Sequence, residues 1–280
     1  MQKFKAQFYL LSIAFCALLS ISAKAQSLYP SFGSARLQGI GYIRTVQRDI
    51  NAAFGNQSGL TGLKGLSIIA STEQRSISEA IGVYNFGIAA PISRFDVIGL
   101  QFQQVGIEGY SEQKYGLSYA RVLGSGLSIG AAFDYYRFSI NEYGSTGKFS
   151  AEAGIQYQLG KQVLFGFHIL NPFHIDLPDD NSLPTILAIG LAYSPSDKVK
   201  VYAEAEKDID FAMNLKAGIE YFPANVIVLR LGFNSNPSGF CIGVGFRFGK
   251  AFSVDVANAF HPQLGSSPSF SLGYSKEKAR

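Results

Sequence analysis

One segment of the sequence has the spacing of a catalytic motif. Gly126-Leu-Ser128-Ile-Gly130 matches the Gly-x-Ser-x-Gly pattern of a nucleophile elbow. That chemistry requires the serine on a sharp turn between a strand and a helix. Here the alternation of apolar and polar residues continues past Ser128 through Phe133 and Tyr135, which places the serine in the middle of a strand. The segment therefore predicts a structural role rather than a catalytic one.

The polar stretch 167–181 is the richest group of ionisable residues in the sequence. Its members with acid–base or metal-binding side chains form the outer-loop cluster: His174, Asp176, Asp179 and Asp180. Carboxylate oxygens are ligands for calcium, but this spacing matches no calcium loop. Pro178 and the Asn181-Ser182 pair are typical of turns. We predict a solvated loop, with divalent-ion bridging to lipopolysaccharide as an alternative, and no metal, cofactor or enzymatic activity.

The positions of these residues depend on an alternation that runs through most of the chain. In the segment 148–159, large apolar or alanine residues occupy every second position, and polar residues or glycine lie between them. The segments 198–206 and 211–221 follow the same pattern. A period of two places each set on one face of a β-strand. The sequence therefore predicts strands that have one apolar and one polar face.

With this reading the chain contains about 14 strands, of a length suited to crossing a membrane at a tilt. The connections alternate between tight turns, such as 160–162, and longer loops, notably 140–147, 171–183 and 258–268. Short turns at one end and longer loops at the other are typical of outer-membrane barrels. A soluble β-sandwich is the alternative, but long strands in this number suit a closed barrel better. We predict an all-β fold, a transmembrane antiparallel β-barrel.

Composition and the first residues agree with an exported membrane protein. The chain of 280 residues is 47% hydrophobic and only 16% charged, which is low in charge for a soluble domain. Residues 1–25 combine Lys3 and Lys5, an apolar run and the site Ala23-Lys24-Ala25, the pattern of a cleaved signal peptide. Without these three lysines, 21 basic residues face 20 acidic ones, so nucleic-acid binding is not predicted. We expect export to the bacterial outer membrane.

In an outer-membrane barrel the apolar face of each strand meets lipid and the polar face lines the lumen. The charged residues that we assign to the lumen are Asp134, Glu152, Lys198, Lys200, Glu204, Lys216, Glu220, Arg230, Arg247 and Asp255. A hairpin that pairs Glu204 with Lys216 also pairs Lys200 with Glu220, which makes opposite charges neighbours. This predicts a salt-bridged, hydrated filling. An ion-selective lining is the alternative, and the mixed signs argue against it.

The stretch before the first strand lacks this alternation over most of its length. Small residues on the polar faces, such as Gly190 and Ala192, leave room for that stretch inside the barrel. Its segment 45–55 predicts a short helix with one apolar side. We divide the chain into a signal peptide (1–25), an N-terminal plug or hatch (26–62), the barrel (63–275) and a C-terminal tail (276–280).

The N-terminal stretch also resembles a known family. The residues that carry the resemblance are Ser34-Ala35-Arg36, Asp49-Ile-Asn-Ala-Ala-Phe54 and the hatch motif Asn56, Gln57, Ser58, Gly59 and Leu60. They are similar to the start of outer-membrane barrels related to the FadL fatty-acid transporters and to the PorV and PorQ proteins of type IX secretion. In that family the last motif usually reads Asn-Pro-Ala-Gly-Leu, so Gln57 and Ser58 depart from it. The resemblance implies a 14-stranded barrel with an N-terminal hatch.

The same resemblance implies two functions. PorV relatives bind a secretion channel, and FadL relatives pass hydrophobic molecules through the barrel wall. Because the outer loops of this chain are short, we favour a PorV-like accessory or scaffold protein, with a FadL-like conduit for an apolar ligand as the alternative. The expected partners are outer-membrane lipid and lipopolysaccharide, the barrel-assembly machinery, and either secretion-system proteins or an apolar ligand.

Overall fold

The fold is one closed antiparallel barrel of 14 strands, each paired with its neighbours in sequence, with the first strand paired to the last. The computed structural model describes residues 33–75, 81–175, 183–249, 251–262 and 265–276. The strands are β1 (Ser67–Arg75), β2 (Ile81–Pro91), β3 (Asp96–Ile107), β4 (Tyr110–Val122), β5 (Leu127–Ile140), β6 (Gly144–Leu159), β7 (Val163–Leu170), β8 (Ile186–Ser196), β9 (Val199–Asp208), β10 (Asn214–Ala224), β11 (Ile227–Ser235), β12 (Ser238–Phe248), β13 (Phe252–His261) and β14 (Gly265–Ser275). The predicted all-β barrel of 14 strands is confirmed. The signal peptide lies outside the described residues.

The two ends of the barrel differ in their connections. β1 begins and β14 ends at the same end, which we name the termini end, and the connections there are tight turns. Gly126 and Gly160 in two of these turns have φ of 84° and 61°, a left-handed backbone that glycine adopts without steric cost. The opposite end, the far end, has one long connection within the described chain, between β7 and β8.

Two of the predicted long loops are wrong. β6 already begins at Gly144, where Gly144 pairs with Ile140, so the connection from β5 is only 141–143. β13 likewise continues to His261, which pairs with Gly265 at the start of β14. The backbone ladder continues whatever the side chains are, whereas the apolar–polar alternation fades near the far end. The sequence pattern therefore stops before the strands do.

The two faces of the strands have opposite character. Large apolar side chains such as Phe133, Leu231 and Leu272 point outward and are exposed, whereas charged and small residues point inward and are buried. Tyr135 and Phe149 pack against each other on the outer face, with their ring centroids 5.0 Å apart and their planes tilted by 46°. The predicted neighbours Glu204–Lys216 and Lys200–Glu220 are paired in the β9–β10 register, which confirms that prediction.

The barrel interior is occupied by residues 33–62, which we name the lumen segment. It contains one short helix, α1 (Ala35–Gly39), and two 3-10 helices, Ile50–Phe54 and Gln57–Gly62. Its apolar residues, among them Leu37, Ile43 and Phe54, form a core with inward residues of the strands. The helix predicted over 45–55 is limited to Ile50–Phe54, because Asp49 caps it there. No described helix is long and apolar enough to cross a membrane.

Candidate functional site

Three polar caps shape the lumen segment into short turns. The Ser34 side chain accepts a hydrogen bond from the Leu37 amide, Asp49 accepts one from the Asn51 amide, and Asn56 accepts one from the Ser58 amide. Each cap satisfies a backbone donor that a short helix leaves unpaired. The polar residues Ser34, Asp49 and Asn56 therefore determine where the short helices of the lumen segment begin.

Arg36 ties the first half of the lumen segment to the barrel. Its guanidinium donates to both carboxylate oxygens of Glu220, at 2.9 and 3.0 Å, and pairs with Asp49. Glu220 is fully buried and also accepts from Arg230 at 2.8 Å and from the Tyr202 hydroxyl at 2.6 Å. Burial alone would lower the pKa of Arg36, but the Glu220 carboxylate raises that pKa above its usual value. Arg36 therefore stays charged.

A second ionic contact lies at Arg44 and Thr45. The Arg44 guanidinium donates to Glu206 at 2.9 Å, and the amides of both residues donate to one oxygen of Glu204, at 2.9 and 2.8 Å. Lys216 lies between the two glutamates, 3.0 Å from Glu204 and 2.7 Å from Glu206. Because buried charges are costly unless they are paired, these contacts fix the segment in one position.

Glu152 is the centre of a third polar cluster. It accepts hydrogen bonds from Gln57 of the hatch motif and from His168, each at 2.8 Å, and pairs with Lys114. Asp134 lies 3.5 Å from the same lysine. This cluster joins the hatch motif to strands β4 to β7, whereas Arg36 and Arg44 join the first half of the lumen segment to strands β9 and β10.

The hatch motif lies directly against the backbone of the barrel wall. The Asn56 amide donates to the carbonyl oxygens of Ile155 and Phe167, both at 3.1 Å. A Cβ atom on Gly154 would lie 2.0 Å from Asn56 Oδ1, and one on Gly130 would lie 2.2 Å from the Ser58 amide nitrogen. Only glycine permits this approach at the two wall positions.

An apolar cavity of about 340 Å³ opens on the outside of the wall at the same place, and we name it the wall groove. Its floor is formed by two cross-strand pairs, Gly130 with Gly154 and Ala131 with Ala153. The lining residues with larger side chains are Tyr119, Ile129, Ile155, Phe167 and Ile169. A cavity of about 150 Å³ already accommodates benzene. At this point the hatch motif and the outer surface are separated only by backbone.

The structure distributes the sequence-predicted residues unevenly. The inward, buried members are Asp134, Glu152, Glu204, Lys216, Glu220, Arg230 and Asp255. Lys200 and Arg247 face the lumen near the termini end, where both lie beside the Phe222 ring. Lys198 is a correction, because it lies exposed in the turn between β8 and β9 rather than in the lumen.

The outer-loop cluster is only partly described. His174 is exposed, and its Nδ1 lies 3.3 Å from the Thr185 hydroxyl. Asp176, Asp179 and Asp180 lie outside the described residues. Within the described parts of the chain, no group of three or more His, Cys, Asp or Glu side chains could hold a metal ion.

Sequence reasoning predicted the wall carboxylates Glu152, Glu204 and Glu220 but missed other residues that join the lumen segment to the wall. Lys114 and His168 follow the inward alternation of their strands, so their position was readable from the pattern. Arg36 and Arg44 carried no such signal, because their partners Glu220 and Glu206 are 184 and 162 residues away in sequence.

No family model matches the sequence, and no curated protein matches it. Solved structures do match. The chain has a FadL-like barrel fold. The CymD monoaromatic hydrocarbon channel has a TM-score of 0.68 and 14% identity, over 89% of this chain and 98% of that one. The toluene transporter TbuX of Ralstonia pickettii has a TM-score of 0.68 and 12% identity, over 90% of this chain and 100% of that one.

A FadL homologue of Pseudomonas aeruginosa gives a TM-score of 0.61 and 11% identity, over 88% of this chain and 98% of that one. Identities this low establish the shared fold and leave the ligand of this chain open. The matches extend over nearly the whole length of each of these proteins, so the likeness concerns the complete barrel rather than a fragment.

Proposed function

We propose that this protein is an outer-membrane conduit for small apolar molecules. The exposed outward face of the strands is rich in large apolar residues, including Leu100, Phe133 and Ile189, which suits contact with lipid. Short turns lie at the termini end, as at the periplasmic end of outer-membrane barrels. The FadL-like fold, which the CymD channel and the TbuX transporter share, supports the same proposal.

The observation that carries the proposal is the wall groove. An apolar molecule dissolved in the membrane reaches the groove from the lipid side, and its floor is the Gly130–Gly154 pair. Directly behind that pair lie Asn56 and Ser58 of the hatch motif. The groove and the motif together form the point at which a small apolar molecule passes between lipid and lumen.

The lumen segment acts as the hatch in this proposal. It lies inside the barrel, with the hatch motif directly behind the groove floor, so passage there requires displacement of part of it. The hatch motif is the part in contact with the groove floor. Its contacts with the wall are a hydrogen bond from Gln57 to Glu152 and hydrogen bonds from the neutral side-chain amide of Asn56 to two wall carbonyls. Neutral hydrogen bonds of this kind contribute about 1 kcal/mol each, so this part is released at lower cost than the ion-paired half.

The accessory function in protein secretion that the sequence favours has less support. It rested on short outer loops, and most far-end connections of the described chain are indeed short. Short loops are equally compatible with a conduit whose ligand binds at the wall rather than at the loops. The wall groove therefore favours the conduit.

The test is uptake of toluene, as an apolar probe, by cells that express the protein in an outer membrane without other conduits of this kind. Expression should raise the initial uptake rate. Ala153→Phe places a large ring in the wall groove and should lower that rate severalfold. Ala203→Phe, on the exposed outer face of β9, is the matched control and should leave the rate unchanged.

Two results would overturn the proposal. The first is an uptake rate that expression does not change although the folded barrel is present in the membrane. The second is an equal loss of uptake in the Ala153→Phe and Ala203→Phe variants. A stoichiometric secretion-system protein that copurifies with a barrel inactive in uptake would establish the accessory function instead.

A further inference from the structure

A second cavity, of about 250 Å³, lies inside the barrel at the termini end, and we name it the termini-end cavity. It shares no lining residue with the wall groove. Three arginines line it, Arg36, Arg230 and Arg247, beside apolar residues such as Val228 and Ile69. Cationic and apolar surfaces thus meet in one concave site at the mouth of the lumen.

The cations at this site differ in their partners. Arg36 and Arg230 are saturated, because they share Glu220 and each has a further carboxylate, Asp49 for Arg36 and Asp255 for Arg230. The Arg247 guanidinium and the nearby Lys200 ammonium have no carboxylate within 4.0 Å among the described residues.

The two unpaired cations share one aromatic ring. The guanidinium carbon of Arg247 lies 5.1 Å from the centroid of the Phe222 ring, and Lys200 Nζ lies 5.9 Å from it. Both distances are within the range of cation–π attraction. Phe222 therefore holds two positive groups near each other, and neither forms an ion pair within 4.0 Å with a described carboxylate.

The site as a whole carries an excess of positive charge. Among the described residues, its lining has three cationic side chains, Arg36, Arg230 and Arg247, and two carboxylates, Asp49 and Asp255. Lys200 and Glu220 lie beside it. Low-dielectric walls concentrate the field of such an excess in a cleft. An arginine presents its donors in a planar fork that matches a carboxylate or a phosphate.

We propose that the termini-end cavity binds a small organic anion, whose carboxylate or phosphate group is recognised by Arg247, with Lys200 beside the cavity as a second positive charge. The apolar part of the ligand packs against Val228 and Ile69. Because the site lies within the ring of strands, the ligand enters from the aqueous compartment at the termini end. This binding is independent of the conduit function, since the two cavities have no residue in common.

The test is isothermal titration calorimetry on the full-length folded barrel in detergent, with benzoate and phenyl phosphate as probes. Both anions should bind, and benzyl alcohol, which lacks the charge, should not. Arg247→Gln should weaken binding about tenfold, because it removes a charge-assisted hydrogen bond. Lys200→Gln should weaken it severalfold. Lys198→Gln removes the same charge from the exposed neighbouring turn and should change nothing.

Mobility of the unboiled protein on a denaturing gel shows that each variant is folded. A repeat in lipid nanodiscs with or without phosphatidylglycerol separates two sources of the anion. Competition by the anionic lipid would identify a lipid headgroup as the ligand. Absence of competition would identify a free anion as the ligand, and both results support the site. The proposal is overturned if neither probe anion binds the native barrel, or if Lys198→Gln weakens binding as much as Arg247→Gln.

Discussion

The first half of the lumen segment (33–49) and the hatch motif (56–60) both lie inside the barrel, but different interactions fix them there. Arg36 and Arg44 in the first half form ion pairs with the buried carboxylates Glu220 and Glu206. In the hatch motif, Asn56 instead uses a neutral side chain to bind wall carbonyls. Close backbone packing against Gly130 holds the motif there as well.

This difference bears on which part can move. A displaced Arg36 would leave the fully buried Glu220 carboxylate short of one partner, and buried charges without partners cost several kcal/mol. Displacement of the hatch motif breaks mainly neutral hydrogen bonds, which water or other backbone groups can replace. We therefore expect the ion-paired half to act as the anchor and the hatch motif as the mobile part.

The largest effect should follow from removing the charge at the anchor. Glu220→Gln keeps the shape of the side chain but leaves Arg36 and Arg230 without their shared carboxylate. We expect the free energy of unfolding to fall by about 3 kcal/mol. This is the lower end of the range for a broken buried ion pair, because Arg36 keeps Asp49 and Arg230 keeps Asp255 as partners. Urea unfolding in lipid vesicles measures this. Glu108→Gln, at the exposed turn between β3 and β4, is the control. Equal stability of Glu220→Gln and the native barrel would refute the anchor.

The next largest effect should come from a side chain that prevents the close contact between the hatch motif and the barrel wall. In Gly130→Ala the new Cβ would lie 2.2 Å from the Ser58 backbone nitrogen, so the motif must shift as a unit. We expect a loss of about 2 kcal/mol, as for overpacked interiors. In Gly154→Ala the atoms nearest to the new Cβ belong to the Asn56 side chain rather than to backbone. That side chain can shift at the loss of some of its neutral hydrogen bonds, so this variant should cost less.

Gly124→Ala is the control for both, since a Cβ there meets nothing within 4 Å. The same unfolding experiment ranks the three variants. A Gly154→Ala barrel less stable than Gly130→Ala would show that the Asn56 side chain, not the backbone of Ser58, sets the fit.

The contrast between the two regions also explains what the sequence could predict. Period-two alternation specifies which side of a strand faces inward, so the inward position of Glu152 and Lys216 followed from it. The Glu204–Lys216 register was predictable as well, since the two residues belong to one hairpin. Lys198 was misplaced because the alternation continues by chance into an exposed turn.

The contacts of the lumen segment could not be predicted from the sequence, for a different reason. Pairing Arg36 with Glu220 requires closure of the barrel, since 184 residues separate them. The wall groove depends on Gly130 lying opposite Gly154, which a shift of one residue in the β5–β6 register would destroy. Long-range register and closure are properties of the folded chain, and short-range patterns do not encode them.

The smallest expected effect concerns Gln57, which stands where the motif that this segment resembles has proline. Gln57→Ala removes the hydrogen bond to Glu152, which keeps Lys114 and His168, so we expect a loss of about 1 kcal/mol. Gln57→Pro loses the same bond. Yet Gln57 is the first residue of its 3-10 helix, a position that favours proline, and Asn56 before it is extended with φ of −77° and ψ of 98°.

The proline variant should therefore be more stable than the alanine variant by about 0.5 kcal/mol, because proline restricts the unfolded chain. Unfolding midpoints of the two variants in the same vesicles measure this difference. The order matters more than its size. If Gln57→Pro is the less stable variant, the hatch motif of this barrel has a backbone that excludes proline, and its Glu152 contact replaces the rigidity that proline supplies in the related motif. If the order is as expected, the backbone at this position accepts proline, and Gln57 adds a hydrogen bond to Glu152.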